Sequence, residues 1–513
     1  MIRPSRFLGA SSLVLVALMT PAAAAAQTIV KPYLRAVGSY YEVTPLLSVG
    51  DRLPLTGDEV QQYQLVGTPD GLGAHANDDG TVTLLMSHEL AADRLTEPIV
   101  GAPLNRGSIV SQFILSPEGQ VLSGKHAFGT VFSQNLPVGP TARTDNSTPA
   151  FGRFCSSTLA GPDEGLDRYI YFANEEADSG IVRGIPSTFD GRGGLTVAIF
   201  NGEAHTLPKL GRFAKENSVV MSGTGRRTVI LSLEDGPSVG DSQLYMYVGA
   251  KDTSAGASVL RRNGLDNGRL YVLASAASES NNELSFQEGT TRAEWRAIPN
   301  ADNMSDTQLE LAADLAGAFG FVRIEDGAFS PTRPNEFFFA TTGGNLIEGN
   351  GLGRLYSLRL NPRDPLGGAR LHVVYNADQV IAQGGDIAIS PDNIEVDGRH
   401  LMVQEGGTGR AEPVLALKQR ELSVWRFDMT DSKFEDRIDA ASATRFAEVA
   451  PPGRDGVSVP VGKWESSGVL DAGGLFGTDS WLLDVQAHAP TTAPSPNTFE
   501  DGQLLLLRGG TAP

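Results

Sequence analysis

The chain is short of several things at once. One cysteine in 513 residues permits no intramolecular disulfide. Histidines number seven, and their spacing matches no HExxH or similar metal motif. Basic charge is in deficit, with 41 Lys and Arg against 60 Asp and Glu, a balance of −19. A nucleic-acid partner needs a basic stripe to neutralise its phosphates, so the balance argues against that class. Anionic membrane surfaces are disfavoured for the same reason, whereas cation binding is compatible with it. Beyond the first 26 residues no stretch approaches the roughly 18 apolar residues needed to span a bilayer. Helical periodicity is also scarce. The best candidate is Ser305 to Ala318, where Leu309, Leu311 and Leu315 recur beside Asp306 and Glu310.

What is present begins with a leader. Arg3 and Arg6 precede the apolar run Phe7 to Met19, followed by Thr20-Pro21 and Ala22 to Ala26. This reads as a secretory signal, residues 1–26, cleaved after Ala26. The alternative is a single membrane anchor, which Pro21 and the short apolar run disfavour. Cleavage removes two arginines and no acid, taking the balance from −19 to −21. Residues 27–513 are expected to form one domain, periplasmic or secreted. Apolar residues at 41% suffice for a core.

The domain reads as strands bounded by Gly, Pro, Asn and Asp. Six of them carry an acid at or near their end: Thr81 to Glu89, Tyr169 to Glu175-Glu176, Thr228 to Glu234-Asp235, Phe321 to Glu325-Asp326, Leu401 to Glu405, and Trp481 to Asp484. The acids recur at intervals of about 80 residues. An all-β chain with a coarse repeat seen six times predicts a six-bladed β-propeller. A blade needs only about 40–50 residues, so long insertions and a few short helices are expected. A β-sandwich or a two-domain β protein is the alternative. In a propeller the innermost strands line the axis, and acids at their ends would converge there. Two unit charges about 6 Å apart repel by roughly 3 kcal/mol at an effective dielectric near 20. Such a ring raises pKa values or demands cations. Calcium, a hard ion taking six to eight oxygen ligands, is the natural answer. A solvated strand end is the bland reading of each acid taken singly.

Cys155 stands in Phe151-Gly-Arg-Phe-Cys-Ser-Ser-Thr-Leu159. It can be a buried, inert small hydrophobe, a nucleophile with a nearby histidine, or a thiolate ligand, which suits a transition metal and not calcium. His75, His88 and His488 read as structural or incidental. Arg323 stands two residues before Glu325, on the same strand face. A guanidinium beside clustered carboxylates can grip a phosphate, since its fork matches the anion. It can equally make a salt bridge.

The set Gly67-Thr-Pro-Asp-Gly-Leu-Gly-Ala74, Leu85-Met-Ser-His-Glu89, Arg153-Phe-Cys-Ser156, Asn174-Glu-Glu176, Leu233-Glu-Asp235, Arg323-Ile-Glu-Asp-Gly-Ala-Phe329 and Ser390-Pro-Asp-Asn393 resembles the PhoX-type alkaline phosphatases. The resemblance implies a six-bladed propeller with an axial cluster of iron, held partly by a cysteine thiolate, and calcium. It implies hydrolysis of phosphomonoesters outside the cytoplasm; a small phosphorylated substrate and a monomer are expected. Carried over, Cys155 and Glu234 would be iron ligands, Glu325 a ligand shared between metals, and Arg323 the phosphate-gripping residue. Glu89, Glu175, Glu176, Asp392, Glu405 and Asp484 would serve calcium or support the ligands. The family often carries a twin-arginine signal, whereas Arg3 and Arg6 are separated by Pro4-Ser5. It also uses a phosphate-binding lysine near the cysteine. Here no lysine falls between Lys125 and Lys209, and Arg143 and Arg153 are the substitutes. Two further readings remain: a calcium-only propeller hydrolase of phytase or lactonase type, and a non-catalytic exported calcium-binding propeller.

Overall fold

The computed structural model describes residues 28–510, except 135, 140–148, 237–239, 277–280, 345–348, 430–437, 452–458 and 489–496. The leader expected at 1–26 and Arg143 lie outside the described residues.

Runs such as Val82-Thr-Leu-Leu-Met-Ser-His88 are buried at every position. A strand covered on both faces needs no polar alternation, and that is what stacked blades provide. The strands fold as meanders, antiparallel except where Arg52–Leu55 runs parallel to Val121–His126 and Thr130–Ser133 parallel to Glu203–Thr206. Each has an innermost strand at the axis: Pro69–Ala76, Thr158–Ala160, Lys215–Val220, Ile324–Phe329, Pro391–Val396 and Glu465–Asp471. Counted by these strands, the described residues contain six meanders. The first and second form six-stranded sheets, the fifth a five-stranded and the sixth a four-stranded one. The third and fourth are joined into a nine-stranded sheet by Gly289–Ile298, which pairs with Arg269–Ser275 along one half and with Ala369–Asn376 along the other. Hydrophobic clusters fill each space between neighbouring meanders, for example Leu231, Leu273, Phe321, Phe339 and Tyr356 between the third and fourth. The architecture is a β-propeller.

The ring is closed by the chain's two ends. Tyr41–Ser48 is the outer strand of the sixth blade, paired with Asp501–Gly509. Leu34–Ala36 pairs with Ile438–Val449 of the fifth. The helix foreseen at 305–318 forms over Asp306–Ala316, in the chain segment that links the third and fourth blades, and its Leu309 and Ala313 join the cluster between the second and third. Ser305 and Gln308 make its capping box and left-handed Gly317 ends it.

One expectation needs correction. The strands that end in Glu89, Glu175-Glu176, Glu234-Asp235 and Glu405, and the one carrying Asp484, are second strands of their blades, not innermost ones. Each innermost strand runs antiparallel to its neighbour and starts at the same face of the propeller where the second strand ends.

Candidate active site

The starts of the innermost strands share a local device. Pro69 pairs with His88 and Leu72 with Met86, so three steps on the inner strand oppose two on its partner. The same bulge occurs at Lys215/Ser218, Ile324/Gly327 and Pro391/Ile394. A bulge re-aims side chains out of the ladder's alternation. Its first residue in these four blades is Asp70, Glu216, Glu325 and Asp392. In the second blade Cys155 follows the bridge Phe154–Glu175. In the sixth, Glu465 opens the strand. The chain enters four of these strands through a left-handed residue two positions earlier: Thr68, Arg153, Arg323 and Ser390, with φ of 47, 50, 56 and 44°. Such backbone costs on the order of 1–3 kcal/mol at a non-glycine residue and clusters at active sites.

These six side chains and the ends of the second strands enclose an axial cavity of about 250 Å³. Its wall holds Asp70, Glu89, Arg153, Cys155, Glu176, Glu216, Arg323, Glu325, Asp392, Glu465, Gln486 and His488. Three groups of potential ligand atoms, each within 4.8 Å of one another, run around it: Asp70, Glu89 and Cys155; Cys155, Glu176 and Glu216; Glu216, Glu325 and Asp392. Cys155 and Glu216 are shared between groups. Cys155 Sγ lies 3.5 Å from Asp70 Oδ2 and 3.3 Å from Glu216 Oε1. Burial first, and neighbouring negative charge second, push the carboxyls of Asp70, Glu216, Glu325 and Asp392 well above the ordinary range. The Cys155 thiol is pushed up by the same causes. Convergent acids that resist ionising unless a cation joins them fit a metal cluster. Gln486 Oε1 and Ser466 Oγ, buried at the same cavity and without hydrogen-bond partners, add neutral oxygen donors.

Ser156, Asn217, Asp326 and Asn393, each following a site acid or thiol, form a polar belt below them together with Ser467 and Gln486. Ser156 Oγ donates to Glu216 Oε1 at 2.8 Å, and Asn393 Nδ2 to Ser156 Oγ at 2.6 Å. Asn217 Nδ2 donates to Asp326 Oδ1 at 2.6 Å. Ser467 Oγ donates to Asp70 Oδ1 at 2.9 Å and Gln486 Nε2 to Asp70 Oδ2 at 2.7 Å. The acids are thereby held in fixed orientations.

Two guanidiniums stand at the mouth. Arg323 forks onto Asp235, Nε to Oδ1 at 3.0 Å and Nη2 to Oδ2 at 2.9 Å, with Glu325 Oε1 at 3.1 Å. Arg153 Nη2 reaches Glu89 at 2.7 Å and Glu176 at 2.5 Å, and its side chain is 45% exposed. His488 completes the basic set. Its ring lies 2.7 Å from Glu500 and 3.4 Å from Glu465, and these carboxylates raise its pKa to about 10 despite burial.

Of the residues singled out from sequence, Glu89, Arg153, Cys155, Glu176, Arg323, Glu325 and Asp392 meet in this cavity. Glu175, Glu234, Glu405 and Asp484 do not line it. Glu175 and Glu234 are still within the ladder, opposite Phe154 and Lys215. Strand alternation turns them away and presents the next residue, Glu176 or Asp235, to the cavity side. Glu175 accepts backbone N–H bonds from Gly152, Phe189 and Leu195. Glu234 accepts one from Gln243. Glu405 is spent on Arg420, Trp425 Nε1 and the backbone of Ile389 and Ser423. Asp484 is fully buried against Gly468, beside Asp70, and neither of its oxygens has a hydrogen-bond partner. Sequence reasoning missed Asp70, Glu216, Asp235 and Glu465. The available signal was an acid followed by Gly, Asn or Asp at the entry to an apolar run: Asp70-Gly71, Glu216-Asn217, Glu325-Asp326, Asp392-Asn393.

Fold and site together define a β-propeller whose axis carries a thiol, clustered carboxylates and flanking guanidiniums. The family model described as alkaline phosphatase PhoX matches residues 199–439. Over those residues, somewhat under half of the chain, it is similar to the PhoX-type alkaline phosphatases, a match that supports a phosphatase. No curated protein matches the chain significantly. Among solved structures, Pseudomonas fluorescens PhoX in complex with vanadate, a transition state analogue, is similar at 16% identity. The match covers 95% of this chain and 97% of that one with a TM-score of 0.62. An α-L-arabinofuranosidase from Fusarium graminearum in complex with an iminosugar inhibitor is 10% identical, covering 90% and 97% of the two chains with a TM-score of 0.39. A periplasmic gluconolactonase from Pseudomonas aeruginosa is 11% identical, covering 86% and 90% with a TM-score of 0.32.

Proposed function

We propose that the chain is an exported, metal-dependent phosphatase that hydrolyses small phosphomonoesters in the axial cavity and acts as a monomer. The observation that carries this reading is the chain of three ligand groups beside two arginines in one cavity. The groups containing Cys155 have the donor set of a transition metal such as iron. Glu216, Glu325 and Asp392 have the all-oxygen set of calcium. Bound metals would supply Lewis-acid neutralisation of the phosphate charge.

The chain's own residues bind and orient. Arg323, fixed by its fork on Asp235, and Arg153, fixed by Glu89 and Glu176, present donors to phosphate oxygens at the mouth. Their charge is in place before the substrate arrives, so little reorganisation accompanies the reaction. The cavity of about 250 Å³ has room for a phosphoryl group. The relative solved with vanadate, named as a transition state analogue, supports the same chemistry by likeness of fold. Export rests on the Arg3 to Ala26 leader. Among the described residues no helix is long and apolar enough to cross a membrane.

The test is hydrolysis of p-nitrophenyl phosphate by the purified protein together with elemental analysis. Turnover should vanish with EDTA and fall on the order of 100-fold or more in Arg323→Ala, the scale of a lost transition-state donor. Cys155→Ala should lose iron. Full activity in both variants overturns these roles. Activity with calcium and no iron favours the calcium-only hydrolase, and no turnover with metals loaded favours the binding propeller.

A further inference from the structure

A second cavity, of about 200 Å³, lies on the propeller axis beneath the polar belt. Ser156, Asn217, Asp326 and Asn393 of the belt form its roof, and Asn393 borders the upper cavity as well. Down the innermost strands its lining passes from buried Gly71, Asn217 and Asp326 to half-buried Ala74, Leu159, Phe329, Glu395 and Leu470. Those strands start at the face that carries the candidate active site. The lower cavity therefore opens to solvent at the opposite face.

Its chemistry differs from that of the upper cavity. Among the described residues that line it, none is basic and none is a thiol. Leu72, Leu159, Phe329, Ile394 and Leu470 give it apolar walls. The roof is internally satisfied. Thr158 Oγ1 donates to Asn217 Oδ1 at 3.0 Å, and Asp326 accepts from Asn217 Nδ2 and from the backbone of Gly327 and Ile394. Glu164, half-buried, lines the cavity with Oε2 accepting from Gly161 N at 2.7 Å. Glu395 is the exception among the walls. Its Oε1 accepts the N–H of Val396 at 2.8 Å, while Oε2 has no partner among the described residues. Burial pushes this carboxyl up to about 8, so at neutral pH it offers one O–H donor and a carbonyl acceptor. An uncharged acid set among hydrocarbon walls, with no basic group beside it, suits hydroxyls on a carbon frame. Each hydroxyl can both donate and accept.

We propose that the lower cavity is a binding site for a small neutral polyol, separate from the cavity that holds the potential metal ligands. Its volume lies below the roughly 300–1,000 Å³ of sites for drug-sized ligands, which limits the occupant to a small molecule. Hydroxyls of the ligand pair with Glu395, and its C–H groups lie on Leu159, Phe329 and Leu470. The assignment is independent of the reading of the upper cavity as a phosphatase site.

The experiment is a ligand-observed NMR titration of the purified protein with glycerol, and with ethylammonium in parallel. Wild type, Glu395→Gln, Glu395→Leu and Ala74→Phe are compared, and p-nitrophenyl phosphate turnover is recorded for each. Glycerol should bind wild type and bind Glu395→Gln nearly as well, because the amide still donates and accepts. Its affinity should fall roughly tenfold or more in Glu395→Leu, the scale of a lost hydrogen bond. Ala74→Phe narrows the opening and should abolish binding. Turnover should be unchanged in the three variants, since neither residue lines the upper cavity. If Ala74→Phe does not fold, the two Glu395 variants decide alone. Absence of glycerol binding to wild type overturns the proposal, and so does equal affinity in wild type and Glu395→Leu. Tighter binding of ethylammonium than of glycerol, lost in Glu395→Gln, overturns the assignment to a neutral ligand.

Discussion

Single atoms decide what each residue contributes here. In the first three blades the residue after the last ladder pair is an acid: Glu89, Glu176 or Asp235. In the fifth blade it is Gly406, and a Cβ there would lie 2.1 Å from Asp392 Oδ2. The missing side chain is the space the Asp392 carboxylate fills. Gly406→Ala is therefore expected to displace Asp392 and lower turnover on the order of tenfold or more, the scale that misplacing a site group allows. Kinetics and calcium content check it, and wild-type values for both contradict it. His88 illustrates a buried group outside the chemistry. It has no exposure, its Nδ1–H donates to Gly67 O, and its Nε2 accepts from Ser111. Burial pushes its pKa down to about 4. The folded value lies below the unfolded one of about 6.5. Its contribution is thus intact above about pH 6.5 and is lost as pH falls towards 4, roughly 3 kcal/mol in full. Denaturant titrations at pH 7 and 4.5 should show this slope in wild type and a flatter one in His88→Gln.

At the scale of the element, the bulged inner strand is the repeating functional unit. It explains why adjacent acids in one sequence pair have opposite fates. Glu175 lies in the ladder's last pairing, and burial lifts its carboxyl to about 8, so it is neutral at pH 7 while accepting three N–H bonds. Glu176 leaves the ladder and holds Arg153 at the cavity. Glu175→Gln should therefore keep metal content but cost about 1–3 kcal/mol, because its amide nitrogen cannot accept the N–H bond that one carboxyl oxygen takes from Leu195. Glu175→Ala should cost about 1–3 kcal/mol or more by stranding buried donors. Glu176→Gln should lose metal with little change in stability. Metal analysis and thermal melts of the three variants settle the pattern, and metal loss in Glu175→Gln would falsify it. The sequence marked these pairs as strand-end acids, but which member faces inward depends on where the ladder stops, a matter of register with the neighbouring strand. The helix at 306–316 was legible because its capping box and terminal glycine are local. The bulges were not, because a bulge is a relation between two strands.

The whole molecule is held as a ring by strands from both ends of the chain. Leu47, unexposed, packs with Leu504 and Leu506 where Tyr41–Ser48 joins the sixth blade. Leu47→Ala should destabilise by about 2–5 kcal/mol through the cavity it leaves. Because each blade buries its faces on its neighbours, the loss should lower one cooperative unfolding transition. Two separate transitions in calorimetry would show that the sixth blade unfolds alone. By itself the sequence determined the class of fold, the acidity that calls for cations, and seven of the site's residues, because strand chemistry, charge and the Arg-Phe-Cys-Ser and Arg-Ile-Glu-Asp segments are local. Only the tertiary structure decided that the cavity forms at the starts of innermost strands. It alone brought in Asp70, Glu216, Asp235 and Glu465, and sent Glu175, Glu234, Glu405 and Asp484 elsewhere. The physical reason is that convergence on an axis is set by blade closure and inter-strand register, which join residues up to some 400 positions apart, such as Ser467 and Asp70.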